Sequence, residues 1–334
     1  DAFNVFVFLE VSSLSTYVLV AQGAHRDRRA LTAAYDYLIM GTIGATFFVI
    51  GIGLLYMTTG TLNMADMAQR LVGLGGSPTV LAAAAFIATG IGLKLAMFPL
   101  HSWLPNAYSY APSVVTALVA GTGTKVAVYL LLRFYFTVFG SETSRALTAD
   151  GTTALAQMLL LVGCAGLVAC SFVALFQTDV KRLLAYSSVA QIGYILIGVG
   201  LANSSGMTGA IVHLFNHAII KAGLFLTVGA MVWRCSSPDL SVLAGIGRRM
   251  PFTGAAFVIG GLGLIGVPLT AGFISKWYLV LAATGTFSTF LPMPWLPMLR
   301  QLGELIEKEL SLQILVTHKF TQLVFHVLEI INQN

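Results

Sequence analysis

Apolar residues run along most of this chain in stretches of about 20, with few polar positions inside each stretch. A bilayer core about 30 Å thick takes roughly that many residues in helical form. The pattern therefore predicts spans over 2–22, 31–58, 79–98, 113–139, 153–176, 183–202, 207–233 and 252–284. Connections are short and carry turn residues, as in Gly75-Gly76-Ser77-Pro78 and Ser236-Ser237-Pro238-Asp239. Two spans are interrupted. The stretch FPLHSWLPNAYSYAP (98–112) holds three prolines, too many for one continuous helix, so a break followed by a short half-helix is predicted there. Gly266-Val267-Pro268 interrupts the last span at 266–270. The fold class is all-α, a polytopic transmembrane helix bundle.

Composition narrows the function classes. Of 334 residues, 57% are hydrophobic and 9% charged, whereas a soluble domain carries about 25% charged residues. An ordinary soluble enzyme, a disordered chain and a nucleic-acid-binding chain all need more charge. Cys164, Cys170 and Cys235 form no CxxC pair and read as packing residues. The chain opens at Asp1 directly in an apolar stretch, without a signal-peptide pattern, and reads as a fragment.

The net charge of +5 is a matter of topology. Arg26, Arg28, Arg29, Lys181, Arg182, Arg234, Arg248 and Arg249 fall in loops on one side. Arg70 and Arg145 fall on the other, with Arg133 near a helix end. By the positive-inside rule the first side faces the cytoplasm, Asp1 lies outside and span one runs inward.

Ionisable groups at membrane depth are costly and mark functional sites. Glu10 sits midway along span one, Lys94 five residues before the first proline of the break, and Lys125 centrally in span four. His213, His217 and Lys221, spaced i, i+4, i+8, share one face of span seven. Lys276 follows Pro268 by eight residues. With water between them, such groups pass protons. Each also has a bland reading. A buried Glu or Lys can lock two helices as an ion pair, Lys94 can snorkel, and a helix histidine can merely bond a neighbour. His101 reads as structural, and Ser12, Ser13, Ser15 and Thr16 as hydroxyls that bond backbone carbonyls or pack closely against another helix. Taken together, five or more deep charges cost on the order of 10 kcal/mol, which favours function.

Other chemistry finds no support. The sequence contains no phosphate-binding loop, dinucleotide fingerprint, HExxH or nucleophile elbow. His213 and His217 have no Cys or carboxylate nearby in sequence to complete a metal site, and opposed haem-ligating histidines are absent. No cofactor is expected.

Six stretches carry a family resemblance: FVFLEVSSLSTYVLV, GLKLAMFPLHSWLPNAYSYAPSVVTALVAGTGTKVAVYLLLRF, QTDVKRLLAYSSVAQIGYI, HLFNHAIIKAGLFL, GIGRRMP and GVPLTAGFISKWYLV. In that order they resemble the antiporter-like subunit family over about residues 2–284. The family joins the multisubunit monovalent cation/proton antiporters of Mrp type to the proton-pumping membrane subunits of respiratory NADH dehydrogenase. The wording of TKVAVYLLLRF and GFISKWYLV is most similar to the D-type component of the Mrp antiporters.

The resemblance implies fourteen helices, two inverted five-helix repeats and a hydrated polar axis. Span one here corresponds to the fifth helix, so about four helices precede it in the family. Glu10 falls on the fifth-helix glutamate and Lys94 on the lysine of the broken seventh helix, an ion pair thought to gate proton movement. Lys125 falls on the eighth-helix lysine, and His213, His217 and Lys221 on the eleventh-helix motif. Lys276 matches the charged residue of the broken twelfth helix. Residues 1–140 are then a partial first repeat, 151–284 a second, and 285–334 an atypical tail, either a lateral helix or a later span.

The expected function is a proton-translocating subunit of a monovalent cation/proton antiporter in a prokaryotic inner membrane. Its partners are other membrane subunits, protons, Na+ or another monovalent cation, and the lipid bilayer, with no nucleic acid. The alternatives are a pumping subunit of NADH dehydrogenase or membrane-bound hydrogenase, and a non-transporting scaffold.

Overall fold

In the computed structural model the described residues are 1–74, 77–140 and 154–290. The turn at Gly75-Gly76, the loop basic residue Arg145 and the tail from 291 onward lie outside them. Residues 1–279 form one compact unit, and the second unit, 280–334, is described only over its first helical residues to Phe290.

The long helices follow the apolar pattern closely: α1 Ala2–Ala21, α2 Arg29–Thr59, then a short α3 Met64–Arg70. Next come α4 Pro78–Leu95, the half-helix α5 Trp103–Tyr110, and α6 Ser113–Leu132, whose end widens into a π-turn over Arg133–Val138. Then follow α7 Ala154–Leu175, α8 Val180–Gly200 and α9 Ser204–Cys235. Two single-turn pieces, α10 Leu240–Leu243 and α11 Ile246–Arg249, lead to α12 Pro251–Ile265 and α13 Ala271–Phe290. Among the described residues seven segments, from Ala2–His25 to Ser204–Cys235, are long and apolar enough to cross a membrane, and Pro251–Ile265 is a shorter apolar helix.

Local chemistry sets the helix starts. Asp179 accepts hydrogen bonds from the amides of Lys181 and Arg182, Asn203 from Gly206, and Asp1 from Phe3 and Asn4. These side-chain caps accept from donors that the first turn cannot satisfy internally.

Helices α2 and α4 pack together, as do α7 and α8, while α9 lies against α6, α8 and α12. With no apolar driving force between helices in lipid, close contact needs small residues. A Cβ on Gly90 would meet the Gly44 carbonyl oxygen at 2.6 Å, and one on Gly193 would meet that of Gly163 at 2.7 Å. Both crossings therefore require glycine. Large apolar side chains such as Phe8, Leu161, Val168 and Ile219 are exposed on the outside of the bundle, while others such as Phe48, Phe134 and Phe225 fill its interior beside the buried polar groups. The hydroxyls of Ser13, Ser15 and Thr16 donate to carbonyls one turn back, as expected for that cluster.

Both helix breaks sit where the sequence puts them. Helix α4 stops at Leu95 with Ala96 in the left-handed region, φ 58°, and α5 resumes at Trp103. Helix α12 stops at Ile265 with Gly266 at φ 83°. Lys181 departs from its expected place in a loop. It is the second residue of α8, is buried, and donates to the Ala111 carbonyl at 3.0 Å. A cap at Asp179 starts the helix three residues earlier than hydropathy alone suggests.

Candidate functional site

The first cluster lies at the α4 break. The Lys94 ammonium donates to Glu10 Oε1 at 2.6 Å and to Ser13 Oγ at 2.7 Å. Lys94 is thus held by α1 rather than snorkelling to the surface. Because Ser13 gives its own proton to Leu9, its lone pairs are free to receive the lysine. At the break the Leu93 carbonyl accepts from the Ala96 amide at 3.2 Å and from the Trp103 indole at 2.9 Å. A cavity of about 150 Å³ adjoins Lys94, lined by Ser12, Ser13, Thr16 and, across it, Thr122 of α6. Thr16 and Thr122 spend their protons on Ser12 and Leu118, so lone pairs remain for water or another donor. At roughly 30 Å³ per liquid water, the space suits a small water cluster.

Lys125, next along α6, donates to the Ala120 carbonyl and to Thr124 Oγ1. Gly121 lets this turn of α6 press against Ala222 of α9, which brings Lys125 near the face predicted to carry His213, His217 and Lys221. All three of those side chains are buried, Lys221 completely. Their positions in one helix spread them over about 12 Å along the helix axis.

Lys221 donates to the Leu184 carbonyl at 2.7 Å and to Ser187 Oγ at 2.5 Å. His217 is 1% exposed, and neither ring nitrogen has a hydrogen-bond partner among the described residues. Its ring stacks on that of His213, centroids 6.2 Å apart. His213 faces two groups: Nε2 lies 2.9 Å from Gln191 Oε1 and Nδ1 lies 2.9 Å from Ser275 Oγ. The Ser275 hydroxyl also reaches the Gly272 carbonyl at 3.0 Å. Rotating this one hydroxyl therefore switches His213 Nδ1 between receiving a proton and facing an acceptor. With both nitrogens engaged, His213 has none free for a metal.

Lys276 closes the row. Its ammonium donates to the Leu264 and Ile265 carbonyls, at 3.0 and 2.9 Å, the acceptors orphaned by the α12 break. It also sits 4.7 Å above the Tyr194 ring, which in turn lies 5.6 Å from His213. The structure thus brings together Glu10 with Lys94, and His213 with His217, Tyr194 and Lys276. Gln191, Ser187 and Ser275 were not singled out by sequence. Gln191 carried a signal, a carboxamide deep in the apolar run of span six, whereas a serine in a membrane helix carries almost none.

A family described as "NADH:quinone oxidoreductase/Mrp antiporter, TM" matches residues 1–294, and the chain belongs to it. Among curated relatives, NADH-quinone oxidoreductase subunit N of Desulforudis audaxviator is 46% identical over 281 residues, 84% of this chain and 54% of that protein. The D component of the Na(+)/H(+) antiporter of Alkalihalophilus pseudofirmus is 32% identical over 283 residues, 85% of this chain and 55% of that protein. Among solved structures, the membrane-bound sulfane sulfur reductase, an archaeal respiratory membrane complex, aligns with TM-score 0.77 at 31% identity, covering 92% of this chain and 60% of that one. The Mrp complex from a Dietzia species also aligns with TM-score 0.77, at 32% identity, covering 86% of this chain and 52% of that one. The chain spans about half the length of the curated relatives it matches.

Proposed function

We propose that this chain is a proton-translocating membrane subunit of a multisubunit monovalent cation/proton antiporter in a prokaryotic inner membrane. The observation that carries the reading is the Glu10–Lys94 pair, joined across two helices at 2.6 Å beside a helix break and a hydroxyl-lined cavity. A lysine bound to a carboxylate holds its proton. The same lysine turned toward the cavity is free to release it. In this reading Lys94 alternates between Glu10 and the cavity, and Lys125 receives the proton on α6. The row of Lys221, His217, His213 and Lys276 carries it onward, with the Ser275 hydroxyl able to donate to His213 Nδ1 or to accept from it. The two halves, 1–140 and 151–284, each contribute one broken helix and its lysine, the arrangement expected of paired repeats around an ion path. The chain is a transport component without bond-making chemistry of its own, and neighbouring membrane subunits supply cation coupling.

The test is cation-driven proton flux in vesicles carrying the assembled complex with Lys94→Ala, Glu10→Ala or Lys276→Ala. Each variant is expected to lower flux by about a hundredfold or more, the scale of losing one positioned proton-transfer group. Assembly with near wild-type flux in all three overturns the reading and leaves a scaffold. A second reading, a pumping subunit of a redox complex, is favoured by the 46% identity to a NADH-quinone oxidoreductase subunit. Purification of the complex separates the two: co-purifying flavin or iron–sulfur subunits replace the antiporter reading with the redox one.

A further inference from the structure

A second cavity, of about 830 Å³, opens at the end of the bundle that carries most of the basic loop residues. It lies between the α1–α2 loop, the α5–α6 junction, the start of α8 and the end of α9, and belongs to none of the proton-path residues. Charged groups on its wall include Arg26, Arg29, Lys181, Asp27 and Asp179. Most of these are already compensated. Arg29 makes three side-chain hydrogen bonds to Asp27, which hold the Asp27 carboxyl below its usual range, and its guanidinium stacks on Tyr110. Asp179 is committed to capping α8.

Three cations against two carboxylates leave the wall a net charge of +1, and Arg26 and Lys181 are the cations that hydrogen-bond no carboxylate among the described residues. Arg26 is exposed. Lys181 is 6% exposed and spends one of its three N–H donors on the Ala111 carbonyl. A buried ammonium with two donors open to a cavity calls for acceptor oxygens. The opposite wall is apolar and faces outward, with Val114 71%, Leu226 51% and Trp233 75% exposed. One basic wall and one apolar wall at the membrane surface match an amphipathic anion.

We propose that this cavity binds an acidic phospholipid, its phosphodiester oxygens accepting from Arg26 and Lys181 and its acyl chains lying along Val114, Leu226 and Trp233. The proposal is independent of the transport reading. It is tested by thermal shift of the complex in neutral detergent, titrated separately with phosphatidylglycerol, phosphatidylcholine and inorganic phosphate. Phosphatidylglycerol is expected to raise the midpoint, and phosphatidylcholine to do so far less. Arg26→Gln, an exposed change that does not disturb packing, is expected to weaken the phosphatidylglycerol response about fivefold, the usual share of one basic residue at an anionic lipid surface. Lys181→Met is expected to weaken it further, while Arg248→Gln, in the single-turn α11 outside the cavity, leaves it unchanged. Equal responses to both lipids, or no effect of Arg26→Gln, overturns the proposal. An equal midpoint shift with inorganic phosphate also overturns it, since the site then takes a free anion without a lipid.

Discussion

The two helix breaks solve one physical problem in different ways. At the first, the Ala96 amide and the Trp103 indole satisfy the Leu93 carbonyl, and Lys94 is left to pair with a carboxylate from another helix. At the second, Lys276 itself satisfies the orphaned carbonyls of Leu264 and Ile265 and touches a tyrosine face. Among the described residues it has no carboxylate in contact. A lysine facing a carboxylate has a partner whose charge changes with the proton. A lysine facing carbonyls has partners whose charge never changes. Under the proposed function the first lysine exchanges its proton in concert with that partner, whereas the second holds a helix end while its charge is present. Loss of that charge at Lys276 weakens the cap, which links protonation there to the geometry of the break.

This contrast can be broken experimentally, most severely at the first lysine. Lys94→Ala leaves the Glu10 carboxylate unpaired at depth and is expected to cost about 3 kcal/mol, as removal of one member of a buried pair does. Adding Glu10→Gln should recover most of the thermal midpoint in detergent without recovering flux. If the midpoint fails to recover, the pair is not the source of the loss. Lys276→Met comes next, at about 1–3 kcal/mol, because two carbonyls lose their donor. No carboxylate substitution in the described residues should rescue it, and a rescue would erase the contrast. Gly266→Ala is smaller, about 1–2 kcal/mol, since a side chain is forced into the left-handed region. Its Cβ would also lie 2.9 Å from Lys276 Cδ, so flux should fall together with stability. Trp103→Phe should cost least, about 1 kcal/mol for one hydrogen bond. It keeps a ring to stack on Tyr37, whose centroid lies 4.1 Å from that of Trp103. Circular dichroism melts in detergent, read beside the flux assay, rank all four.

Much of this architecture was legible in the chain itself. Span positions followed from apolar run length, because an unpaired backbone in lipid leaves the helix as the economical solution. Pro99, Pro105 and Pro112 announced the first break, and Gly266 with Pro268 the second. The shared face of His213, His217 and Lys221 followed from helical spacing alone. Less legible were the partners. That Lys94 binds Glu10, 84 positions away, follows from a contact between α1 and α4 that the residues' spacing does not specify, although the family resemblance anticipated it. The burial of Lys181 depended on a single Asp cap shifting the start of α8, an effect smaller than a hydropathy window resolves. The short α3 and the π-turn after α6 were likewise missed, being too brief to carry their own periodicity.

By itself, then, the sequence determined the spans, their breaks and which residues carry charge into the membrane. Those properties depend on transfer free energies and backbone donors counted along one helix. Only the tertiary structure decided which charge meets which acceptor. Helix crossings such as Gly44 on Gly90 and Gly163 on Gly193 set the distances between side chains far apart in the chain. A proton moves over ångströms, so those distances separate a row of ionisable residues from a path between them.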